Sequence, residues 1–190
     1  EEQCDALVRK VHFLRALGTS EWPDGTLGER YGFLHALYHD VLYRRLTETR
    51  RVRLHRRIGE RKEQAYDKQV GDIAAELAAH FESGRDYVKA VEHHRRAGKN
   101  AIHRSAHREA INHLANGLQL LTMLPDAPER DHRELALQMN LGVSLSAMRG
   151  YAAPEVEHAY NRALALIQRL SDTSQSLPAL WGLWMFYYVK

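Results

Sequence analysis

Between Ala74 and Ala97 small and large residues recur in a ladder that constrains the fold more than any other stretch of the chain. It reads Ala74-x2-Leu77-Ala78-x2-Phe81, then Ala90-x3-His94-x2-Ala97, with Gly84, Asp86 and Tyr87 between the halves. Apolar residues three and four apart share a helix face. Small residues on that face let a second helix approach closely. The pattern therefore predicts two antiparallel helices interlocked across a short turn.

The ladder has echoes. Ala97-Gly98-x2-Ala101 stands where Leu77-Ala78-x2-Phe81 stood, and Ala110, Leu114 and Gly117 follow at the offsets of Ala90, His94 and Ala97. Leu141-Gly142-x2-Leu145 with Val156-x3-Tyr160-x2-Ala163 is a third copy, and Trp181-Gly182-x2-Met185 opens a fourth. Recurrence of this kind is the signature of tetratricopeptide (TPR) stacking, although the steps depart from a strict 34-residue period. The helices predicted after residue 69 are 70–83, 86–104, 107–124, 130–149, 153–170 and 176–189. Such stacks bind partners through extended surfaces.

The first third differs. Residues 3–17 put Leu7, Val11, Leu14 and Leu17 on one face, which predicts a helix with Gly18 as its C-cap. Pro23-Asp24-Gly25 is a strong turn signal, and Trp22, Tyr31 and Phe33 flank it. A short β-wing over 19–22 and 30–34 is expected. Two helices follow, 35–46 and 49–66, with Thr47 or Thr49 as an N-cap. Helix, wing and helix in that order suggest the end of a winged-helix domain. The expected fold is mainly α: a winged-helix-like part with a short β-wing over 1–66, then an antiparallel TPR-like superhelix over 67–190.

Charge is uneven. Of 190 residues, 27 are Lys or Arg and 24 are Asp or Glu, a formal +3. Yet Val41–Lys62 carries nine cations against Glu48 and Glu60, so the rest of the chain is about −4. Arg50, Arg53, Arg57 and Arg61 fall near one stripe of a helix, with Leu54 and Ile58 expected on a buried opposite face. The stripe is the candidate contact for phosphate or for a protein partner.

No catalytic pattern accompanies it. The chain has no Gly-x4-Gly-Lys-Ser/Thr, no His-Glu-x-x-His and no Gly-x-Ser-x-Gly. Twelve His invite a metal reading, through His35 with His39, His103 with His107, or His93 with His94, but convergent third ligands are lacking in the sequence. No catalytic, cofactor or metal residue is therefore expected. Cys4, the single cysteine, rules out an internal disulfide and suits a reducing cytoplasm. The longest apolar run, Leu180 to Val189, is half a membrane span. Its aromatics, Trp181, Trp184, Phe186, Tyr187 and Tyr188, are expected to be core awaiting a covering helix, and a route to self-association. The chain begins and stops inside helix-like sequence, so it is expected to be a piece of a larger protein.

Several phrases together resemble one family. They are Arg30-Tyr31-Gly32-Phe33-Leu34-His35-Ala36-Leu37 with Val41-Leu42-Tyr43, Arg53-Leu54-His55-Arg56-Arg57-Ile58-Gly59-Glu60, and Ile73-Ala74-Ala75-Glu76-Leu77-Ala78-x-His80-Phe81. Gly150-Tyr151-Ala152-Ala153-Pro154-Glu155-Val156-Glu157 and Leu180-Trp181-Gly182-Leu183-Trp184 complete the set. The series resembles the region downstream of the ATPase module in large bacterial signal-transduction ATPases with numerous domains (STAND). The resemblance implies a P-loop ATPase upstream, with its ATP and Mg, then a winged-helix clamp, then a TPR sensor arm. Some members carry cyclase, kinase or DNA-binding domains elsewhere. The expected function is a non-catalytic regulatory and protein-interaction segment, cytoplasmic, whose partner is a protein or the adjacent ATPase domain. The alternative is a nucleic-acid-binding module of a transcription regulator that uses the winged helix and the basic helix 49–62.

Overall fold

The computed structural model describes residues 13–171 and 176–190. Among the described residues the chain is mainly helical, with one antiparallel hairpin ahead of the helices. It divides into two compact units, the first ending at Val70 and the second running Gly71–Lys190.

In the first unit β1 (Leu14–Glu21) pairs with β2 (Leu27–Phe33). Leu14 and Leu17, predicted on a helix face, are in β1; the rest of the predicted helix, with Cys4, lies outside the described residues. Helical spacing at 14–17 is overruled by the ladder. Pairing Leu14 with Phe33 and Ala16 with Tyr31 gives that backbone its partners. Gly18 is accordingly no C-cap. It sits at φ +88 where the register shifts between Ala16 and Thr19, a bulge that a left-handed residue accommodates. The hairpin turn follows its sequence. The Gly25 amide bonds Trp22 O at 2.8 Å, and Asp24 Oδ1 accepts from the Thr26 amide at 2.9 Å and from its hydroxyl at 2.6 Å.

Two helices follow the hairpin among the described residues of this unit. α1 (Ala36–Arg45) is capped by His35, whose Nδ1 accepts from the Leu37 amide at 3.1 Å. α2 (Glu48–Tyr66) begins after Thr47, which holds the N-cap position without a side-chain hydrogen bond. A 3-10 turn, Asp67–Gln69, follows.

The second unit holds α3 (Ala74–Ser83), α4 (Tyr87–His103), α5 (His107–Leu121), α6 (Pro128–Arg149), α7 (Pro154–Leu170) and α8 (Ser176–Val189). Each helix packs on the next, α4 also touches α6, and α6 also touches α8. The even-numbered helices thus share a layer. The core is the small-large ladder itself: Leu77, Ala78, Phe81, Ala90, Leu114, Val156 and Ala163 are all inaccessible.

Two corners are built alike. After α3 the Arg85 amide bonds Glu82 O and the Asp86 amide bonds Phe81 O, with Arg85 left-handed at φ 54. After α4 the Ser105 amide bonds Ile102 O and the Ala106 amide bonds Ala101 O, with Ser105 at φ 58. Both are Schellman closures, in which the first two residues past the cap satisfy the last free carbonyls of the helix. Asp86 also caps α4, accepting from the Lys89 amide at 3.2 Å. Corresponding residues of the two corners are 20 apart. The first echo in the sequence is therefore the period of one helix plus its corner, whereas Gly98, Gly142 and Gly182 mark the period of a helix pair.

Candidate interaction surfaces

The basic stripe lies on α2, as the sequence predicts, but its composition differs. Arg50, Arg53 and Arg57 are exposed and make no ion pair among the described residues. Arg61 is held. It donates to Asp24 Oδ2 at 2.6 Å and to the Thr26 hydroxyl, and its guanidinium lies 5.0 Å from the Trp22 ring centre. Those contacts hold the Asp24 carboxyl down at about 2, the Arg61 hydrogen bond first and the two from Thr26 after it. Arg61 therefore ties the helix to the hairpin turn. A helical wheel places Arg61 on the stripe and has no means of showing what it reaches.

The predicted buried face of α2 is also corrected. Leu54 is 41% and Ile58 39% exposed. Leu37, Val41 and Leu42 of α1 are exposed as well, and no residue of α1 is buried. Tyr43, by contrast, is well used. It bonds His55 Nε2 at 2.8 Å, stacks on His39, and has Arg51 over its ring.

In the second unit the repeat glycines act as seats. A Cβ on Gly98 would meet Leu114 Cγ at 2.8 Å, and one on Gly142 would meet Tyr160 Cζ at 2.6 Å. Gly182 admits the same tyrosine ring even more closely. Tyr160 of α7 is thus received by glycines of two successive even-numbered helices. Its hydroxyl is pushed up by burial, against a hydrogen bond with Ser146 that lowers it. A cleft opens beside this seat, lined by Met139, Val143, Ala147, Tyr151 and Trp181. On α8, Leu177, Trp181, Trp184 and Tyr188 form an exposed apolar stripe, while Phe186 is buried. The aromatic run is thus split, and only Phe186 among its rings belongs to the core.

His94 stands in the ladder where Tyr160 stands in the later copy, and it changes the local chemistry. Its Nε2 lies 3.3 Å from Glu82 Oε2 on α3 and its Nδ1 lies 3.1 Å from His113 Nδ1 on α5. The carboxylate can only accept, so His94 Nε2–H donates to it. That leaves His94 Nδ1 to accept from the Nδ1–H of His113. Burial lowers the His113 pKa first, then His94, with Glu109 opposing and Arg104 adding to the effect. Three helices are joined by this relay. No sequence signal shows it, because Glu82, His94 and His113 belong to different helices.

Other charges are taken up internally. Burial would raise Glu92, but hydrogen bonds from Arg95 and Arg96 outweigh it and hold the carboxyl at about 2. Glu134 accepts from Nε and Nη2 of Arg162 at 2.6 and 2.8 Å, and Arg169 forks onto the buried Asp131. Among the described residues no group of three or more His, Cys, Asp and Glu is placed to hold a metal ion, and the paired histidines of the sequence do not converge on one. No helix among them is long and apolar enough to cross a membrane.

Over 157 residues, 82% of its length, the chain is 28% identical to an uncharacterized protein of Rhizobium meliloti (strain 1021). The matched region is 15% of that relative, so the chain spans a small part of a much longer protein. No family profile and no solved structure matches the chain.

Proposed function

We propose that the chain is a non-catalytic regulatory and protein-interaction segment of a large, multidomain signalling ATPase of the STAND type. In this reading Gly71–Lys190 is a TPR-like arm, and the hairpin with α1 and α2 is the end of a winged-helix clamp. The observation that carries it is the glycine seat. Gly98, Gly142 and Gly182 recur on α4, α6 and α8, helices that share one layer, and each accepts a bulky side chain from an odd-numbered helix. Stacking of that kind builds an extended face for partners and calls for no reactive side chain. The hairpin followed by two helices supports the clamp, and the length of the rhizobial relative supports a large parent. ATP and Mg would bind the upstream module. The chain has no phosphate loop, and none of its residues is assigned to them.

The mechanism is two-state. A partner on the arm shifts how the clamp docks on the ATPase, by as much as its affinity differs between the docked and released forms. Nucleotide turnover of the intact protein, with and without residues 71–190, tests this. Deletion is expected to change the basal rate or abolish the response to the effector. Unchanged turnover and unchanged assembly would overturn the reading.

A further inference from the structure

We infer that the first unit carries a second, separate binding surface, one for the phosphate backbone of a nucleic acid. It is made by Arg44 and Arg45 at the end of α1 and by Arg50, Arg53 and Arg57 on α2. All five are exposed and make no ion pair among the described residues. Arg95, Arg96, Arg149, Arg162 and Arg169, by contrast, each hold a carboxylate.

Three features favour phosphate. Eight of the nine cations between Val41 and Lys62 are arginines, whose planar fork binds phosphate through two hydrogen bonds, while solubility alone is served equally by lysine. Along the helix Arg50, Arg53 and Arg57 rise by about 4.5 and 6 Å and stay within about 60° of one another. That spacing suits consecutive phosphates of one strand. The five charges also sit on one helix end and the helix that follows it, with only Thr47 and Glu48 between Leu46 and Thr49.

The same structure fixes the kind of recognition. Base reading by stacking needs free aromatic faces. Here Tyr43 is covered by Arg51 and His39, and Trp22 lies under Arg61 and Lys62. Stacking on these two rings is therefore closed, and the arginines are left to the phosphate backbone. Arg61, engaged by Asp24 and Thr26, is not part of the surface.

The test is fluorescence anisotropy of the full chain with a labelled random-sequence 20-base-pair duplex, titrated between about 50 and 200 mM NaCl. Binding in the micromolar range at low salt is expected, with no discrimination between unrelated sequences. The slope of log affinity on log salt should flatten by about one unit for each arginine removed, so by about three for R50Q/R53Q/R57Q. Arg61→Gln should leave the slope unchanged. Circular dichroism confirms that each variant is folded. Absence of binding at 50 mM, an unchanged slope in the triple variant, or equal competition by polyaspartate would overturn the inference; the last would assign the surface to an acidic protein. These readouts need no ATPase, so they stand or fall apart from the signalling reading.

Discussion

Single residues settle how closely the helices approach. Gly142 and Gly182 receive Tyr160, which is 5% exposed. Alanine at either position improves helix propensity by about 1 kcal/mol. It also drives a methyl group into a buried ring, an overpacking cost of about 1–3 kcal/mol. The clash is the larger effect, so Gly142→Ala and Gly182→Ala should each lower Tm. Thermal denaturation decides; a raised Tm would show that the ring can move. The sequence shows these glycines recurring, and the small-large pattern even assigns them to helix contacts. It does not show that two of them serve the same tyrosine. Arg61 makes the opposite point: the wheel places it correctly, but its partner Asp24 is 37 residues away.

At the scale of elements, the corners carry the period. Arg85 and Ser105 hold left-handed φ, which costs an L-residue about 1–2 kcal/mol and a glycine nothing. Ser105→Gly, in a closure otherwise complete, should therefore raise stability by about 1 kcal/mol, measured by urea denaturation. Loss of stability would mean that the Ser105 side chain supplies something its backbone does not. The histidine relay ties α3, α4 and α5 and gives their packing a pH dependence. The unfolded His113 imidazole takes its proton near the ordinary 6.5, and the folded one only at lower pH. Between those values the unfolded chain binds more protons, so stability is full above about 6.5 and is lost as pH falls through the folded value. NMR titration of the His113 ring should give a midpoint below 6.5, moving up in His94→Ala. A midpoint that ignores His94 would sink the coupling. One element eluded the sequence. Leu14 and Leu17 keep helical spacing yet lie in β1, because pairing with β2 outweighs a local period over four residues.

For the whole molecule, the two units differ in how much of their apolar surface they cover. Gly71–Lys190 buries the ladder residues but leaves Leu177, Trp181, Trp184 and Tyr188 open along α8. A contiguous exposed apolar face of this kind is a natural association site. The isolated chain is expected to self-associate, with light-scattering mass rising with concentration, and W181E/W184E should abolish the rise. A monomer at every concentration would show that the stripe is tolerated by water. By itself the sequence determined the helices of the second unit, the turn at Pro23–Gly25 and the basic character of α2, because each is written in local periodicity or local turn chemistry. Only tertiary structure decided which arginines stay free, that Leu54 and Ile58 remain in water, and that His94 meets Glu82 and His113. Those outcomes depend on what another segment brings within a few ångströms, and periodicity along one helix carries no record of its neighbours.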